Sequence, residues 1–159
     1  MEEWSCIPHG FVADELAFIQ RVFDAKDGWR SQGKQAVLNS KAKKLFSLTK
    51  TPDAVMQMLF PQTHLRGLSV TDSRKWPAAV YIHAGNWSKI PAGSEYTDLQ
   101  EYRAALVNHE LAHVFGHGHV TCPCTGCLSD VRQQPSKPLQ GCLPHSSVKV
   151  YANQSEDMH

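Results

Sequence analysis

One stretch constrains this chain more than any other: His109-Glu110-Leu111-Ala112-His113-Val114-Phe115-Gly116-His117-Gly118-His119. Residues four apart on a helix share a face, so His109 and His113 can aim at one ion. Bonds from imidazole nitrogen to zinc are about 2.0–2.1 Å, so the ligands must converge closely. His117 cannot be the third ligand on a continued helix, because at about 1.5 Å of rise per residue the rings would spread over roughly 12 Å. The chain has to turn back. Gly116 is the residue that can do so, since glycine accepts the positive φ of the position just past a helix end. His119 can then swing under the metal. Three histidines leave a fourth coordination position open, the arrangement of a catalytic zinc. Glu110 is displaced around the helix from the ligand face but can reach a water there, which suits it to the role of general base.

The remaining sequence bounds the class of molecule. A chain of 159 residues is long enough for one domain with its own core. The formal net charge is +1, which gives no electrostatic case for nucleic acid or for an anionic membrane surface. Lys41, Lys43 and Lys44 form the one tight basic cluster and read as solvated surface. No apolar run approaches the length of a membrane span. The opening residues, Met1-Glu2-Glu3-Trp4-Ser5-Cys6, are acidic and polar and do not read as a secretory signal.

Periodicity places the elements. Ala13 to Lys26 reads as an amphipathic helix with Leu16, Ile19 and Phe23 on one face. Gln35 to Asn39 and Lys44 to Leu48 read as short strands that pair. Thr51-Pro52-Asp53 opens a second helix that ends near Leu59, before Pro61. Leu68 to Thr71 and Ala78 to His83 read as strands, with His83 an ordinary strand residue. Gly85 to Ser94 reads as a loop. Thr97 or Asp98 caps a central helix that runs to about Phe115. Leu99, Tyr102, Leu106, His109 and His113 form one stripe on it, and Val107, Leu111 and Val114 another, the pattern of a buried helix.

After His119 periodicity disappears, and proline, cysteine, serine and glutamine dominate. This predicts an irregular lower part over residues 117–150 and a frayed tail over 151–159, following an upper part over 1–116 that includes the central helix. Cys122, Cys124, Cys127 and Cys142 lie here, and Cys6 lies alone at the other end. Three readings stand: a disulfide stapling Cys122 to Cys142, a second, structural zinc held by the four thiolates, or unpaired thiols.

The run H-E-x-x-H-x-x-G-x-x-H resembles the signature of the metzincin metallopeptidases. Around it, Tyr102-Arg103, Val107-Asn108-His109-Glu110, Cys122-Pro123, Gly126, Val131, Gln133-Gln134 and Leu139-Gln140-Gly141-Cys142 are similar to a bacterial family of uncharacterised, secreted zinc metallopeptidases. The likeness runs from about Tyr81 to Pro144. Upstream it rests on the first helix and Asp27-Gly28-Trp29. It implies a metzincin-like α+β domain: a small twisted sheet, mostly antiparallel or mixed, a zinc-bearing central helix and an irregular C-terminal subdomain. It implies His109, His113 and His119 as zinc ligands, Glu110 as the base, one catalytic Zn2+, and a match of Cys122 and Cys142 to the family's cysteine pair. It also implies secretion of a mature form. The chain departs from the pattern at Arg132, where the family has a methionine in a tight turn beneath the metal, at Cys124, which replaces a glycine, and at Cys127, which is additional.

The expectation is therefore a zinc-dependent peptidase, an endopeptidase acting as a monomer on peptide or protein substrates, with no nucleic-acid or membrane partner. Tyr151 and His145 are candidates for stabilising the oxyanion. A second reading keeps the zinc and loses turnover, giving an interaction module derived from a metzincin, with Arg132 as the mark of lost catalysis. A third takes Asp130 or Glu156 as the third ligand in place of His119, although neither lies in a helical pattern.

Overall fold

The computed structural model describes residues 1–157. The chain is mixed α/β, with a five-stranded sheet and four helices among the described residues. It divides into two compact units, Met1–Lys89 and Ile90–His159. The division falls ahead of the central helix, so that helix groups with the irregular segment that follows it and not with residues 1–89. No helix among the described residues is long and apolar enough to cross a membrane.

The first unit holds the sheet, in the order β2-β1-β3-β5-β4: β1 (Glu2–His9), β2 (Lys34–Leu38), β3 (Lys44–Thr51), β4 (Val70–Asp72) and β5 (Ala78–His83). Four strands run parallel and β4 alone is antiparallel, so the expected antiparallel character is confined to one edge. The expected pairing of the second and third strands is also corrected. β1 lies between them, and the segment read as a polar opening supplies the strand both pair with. Glu2 fits there because Lys34 and Lys44, on the two flanking strands, approach it at 3.0 and 3.2 Å. A short link suffices from β2 to β3, since β2 ends beside Cys6 and β3 begins beside Trp4.

Helix α1 (Ala13–Asp24) is the crossover from β1 to β2, the kind of connection parallel strands require. Glu15 accepts from the Val12 amide at 2.9 Å, closing the first turn. The same carboxylate takes Lys50 at 2.8 Å and the Trp87 indole at 2.5 Å. Ile19, Val22 and Phe23 are buried, and Phe23 meets Phe46 of β3 edge to face. Helix α2 (Asp53–Leu59) begins one residue later than expected, with Pro52 just before its first residue, and ends at Leu59 as expected. The stretch read as a loop contains a short helix, α3 (Ala84–Ser88), because His83 caps it. The His83 Nδ1 accepts from the Asn86 amide at 3.2 Å, and its Nε2 donates to Asp53 at 3.0 Å.

The second unit is built on α4 (Leu99–Val114). Asp98 caps it, accepting from the Glu101 amide at 3.0 Å. The residues from Ala105 to Ala112 are all buried, a wider buried face than an amphipathic surface helix presents. Beyond it, residues 115–157 contain no named strand or helix, only the isolated bridges of His119 with Asp157 and of Leu128 with Leu143. Disulfides Cys122–Cys142 and Cys124–Cys127 close this segment. The structural zinc on four thiolates is thereby corrected, since sulfurs bonded to each other are not thiolate ligands. Cys6 is free and buried, and burial pushes its thiol pKa up.

Candidate metal centre

The last turn of α4 decides where the histidines go. Gly116 takes φ +93°, the left-handed conformation. Its amide bonds the His113 carbonyl at 3.1 Å, and the His117 amide bonds the Ala112 carbonyl at 2.8 Å. These two bonds form a Schellman motif and stop the helix. The turn also brings the His117 carbonyl back to the ring of His113, whose Nδ1 lies 2.9 Å from it. A carbonyl only accepts, so that Nδ1 carries the proton and Nε2 is left as the lone-pair nitrogen.

His109 is oriented in the same way. Its Nδ1 donates to the Val131 carbonyl at 2.9 Å, again leaving Nε2 for a ligand. The Nε2 of His119 is buried with no hydrogen-bond partner. One ring nitrogen from each of His109, His113 and His119 lies within 4.8 Å of the other two, and the three could hold a metal ion. Their ring centroids are 4.8 to 5.2 Å apart. Burial, then the neighbouring histidines, holds the His109 pKa well below the ordinary value. Burial first, then His113, lowers that of His119 to about 4. Converging imidazoles with an orphaned buried nitrogen among them are a donor set that suits zinc.

His117 stays out of the cluster. Its Nδ1 contacts Glu156 Oε2 at 2.9 Å. Glu156 Oε1 accepts from the Gly118 amide at 3.1 Å, and Asp157 brackets His119 with two backbone bonds of 2.7 Å. Residues 151–157 are thus fastened to the histidine turn, a correction to the expected frayed tail. Met158 and His159 of that tail lie outside the described residues.

Asp130 and Glu156 are not in the metal cluster either; both meet the Arg132 guanidinium. Glu110 is buried at 3 % exposure on α4, and its charge helps, after burial, to raise the pKa of the Tyr102 phenol, itself fully buried. The Tyr151 hydroxyl donates to the Leu128 carbonyl at 2.9 Å.

A family model described as "Protein of unknown function (DUF3152)" matches residues 11–142. The chain belongs to the DUF3152 family. No curated protein and no solved structure matches it. The DUF3152 match takes in all of α4, the three clustered histidines and both paired disulfides, and ends before Glu156 and Asp157. Sequence reasoning considered Glu156 only as a metal ligand. What it missed is a carboxylate that grips His117 and Gly118. An arginine, Arg132, where the resemblance has a methionine, with Glu156 and Asp157 downstream of it, was the available signal.

Proposed function

We propose that this chain is a zinc-dependent peptidase with a metzincin-like second unit. The observation that carries the reading is the disposition of the histidine nitrogens. The Nδ1 atoms of His109 and His113 are committed to carbonyls, and the Nε2 of His119 is buried without a partner. That is the pattern of ligands held in fixed tautomers around an ion. The turn at Val131 supports the metzincin likeness, since its carbonyl receives the first ligand's ring, where the metzincins have a turn beneath the metal.

His109, His113 and His119 would hold the zinc. When bound, it supplies Lewis acidity that polarises a peptide carbonyl and lowers the pKa of water. Glu110 takes the proton of the attacking water and passes it to the leaving amine, so the bond between carbonyl carbon and nitrogen breaks as the bond to water oxygen forms. Burial of Glu110 keeps bulk water from competing for that proton.

The test is a peptide-library digest by wild type and by Glu110→Gln, with zinc measured on both. The expected result is equal zinc and cleavage by wild type only, because an amide cannot accept the proton. Absence of cleavage by zinc-loaded wild type across a broad library would instead support the interaction module.

A further inference from the structure

His119 belongs to two features at once. It is one of the three clustered histidines, and it lines a pocket of about 260 Å³ whose other walls include Thr121, Gln134, Lys137 and Gln140. A peptide whose scissile carbonyl lies at the cluster therefore has a neighbouring side chain within reach of this pocket.

The pocket has a fixed wall and a free cation. Gln133 is committed, accepting from the Asp130 amide at 3.1 Å and donating to the Leu139 carbonyl at 3.2 Å. That pair of bonds holds the loop from 133 to 140 in place. Lys137 is exposed, and its backbone amide bonds the Gln134 carbonyl at 3.3 Å. Its ammonium makes no ion pair or hydrogen bond among the described residues. By contrast, the lysines of the sheet unit at positions 34, 44 and 50 are all paired with glutamate. Lys137 and His119 line the same pocket, which places this cation beside the histidine cluster.

We propose that this pocket is a subsite for an acidic side chain, aspartate or glutamate, flanking the scissile bond, with Lys137 as its counter-charge and the amides of Gln134 and Gln140 as hydrogen-bond donors. The proposal rests on the peptidase reading and names its substrate class. A single partly exposed ion pair contributes up to about 1 kcal/mol, or about fivefold in specificity.

The experiment uses matched peptides, amidated at the C-terminus, that carry Glu or Gln at each position around a cleaved bond. Zinc-loaded wild type should cleave the Glu peptide about fivefold more efficiently at one position. Lys137→Met should bring the ratio to one, and Lys137→Glu should reverse it in favour of Gln. Binding of the same peptides to zinc-loaded Glu110→Gln, measured by calorimetry, gives the second readout. Cleavage without any Glu preference overturns the subsite and leaves the peptidase standing. A Glu preference in binding that depends on Lys137, with no cleavage by wild type, does the reverse. A preference for a free terminal carboxylate alone, or neither cleavage nor selective binding, overturns the subsite.

Discussion

Arg132 meets Asp130 through two near-parallel contacts, Nε to Oδ1 at 3.0 Å and Nη2 to Oδ2 at 2.7 Å, with the side chains 4 % and 0 % exposed. The guanidinium also takes Glu156 at 2.8 Å and the Tyr151 carbonyl at 2.7 Å. Asp130 is equally committed, since it accepts from the amides of Arg132 at 2.8 Å and Tyr151 at 2.9 Å. An arginine stands where the resemblance has a methionine, and it is accommodated because every polar atom around it is given a partner. The same pair ties the turn that orients His109 to the segment that grips the histidine loop.

Arg132→Met should be costly. From the sequence alone the change should keep zinc affinity or raise it, because the turn supports the site without coordinating the metal. The structure adds a cost in stability, since methionine would leave Asp130 buried with its main partner gone. A loss of about 3–5 kcal/mol is expected. Urea unfolding of the zinc-loaded proteins measures it, and a loss below about 1 kcal/mol would mean that the pair behaves like an exposed one.

The histidines should separate by role. His119→Ala should release most of the zinc, because it removes the orphaned Nε2. His117→Ala should weaken zinc by no more than about tenfold, since this ring supports the turn through Glu156 and its backbone carbonyl still orients His113. Metal titration of the chelated proteins compares them. A larger loss for His117 than for His119 would put the third ligand on the wrong residue.

The local chemistry of α4 was legible in its sequence. A cap at Thr97 or Asp98, which the structure resolves to Asp98, the helix end before Gly116 and the convergence of three histidines follow from spacing and from glycine's access to positive φ. The sheet order was not legible, because the decisive strand, β1, opens with two glutamates and contains Pro8. Its partners Lys34 and Lys44 are more than thirty residues away, and no local pattern reports them. The contacts of Glu156 were hidden for the same reason. They join positions 38 and 24 residues apart in a segment with no periodicity, where only the folded chain brings acid and base together.

The disulfides should carry much of the stability of the irregular segment. Cys122 and Cys142 are 20 residues apart with Cα atoms 5.7 Å from each other. Removing the pair by a double serine substitution should lose about 2–4 kcal/mol, as closing a loop of that length restricts the unfolded chain. Mass spectrometry of a non-reduced digest should show Cys122 linked to Cys142, and Cys124 to Cys127. A linkage of Cys122 to Cys127 would contradict the pairing.

Glu156 should make the protein sensitive to acid. Burial alone would raise its carboxyl pKa, but hydrogen bonds from Arg132, His117 and the Gly118 amide outweigh it and hold the value at about 2, below the ordinary 4.5. The folded state therefore binds this proton more weakly than the unfolded chain. The sign follows: the contribution is fully present above the ordinary pKa of 4.5 and is lost as pH falls through that value toward about 2. Glu156→Gln removes the ionisable group, so the variant should be less stable than wild type at neutral pH. The gap between them should then close as the pH is lowered through that window. Unfolding midpoints of both proteins, taken at intervals from neutral pH downward, give the difference directly. A gap that stays constant with pH would mean that Glu156 acts through shape and not through its charge on Arg132 and His117.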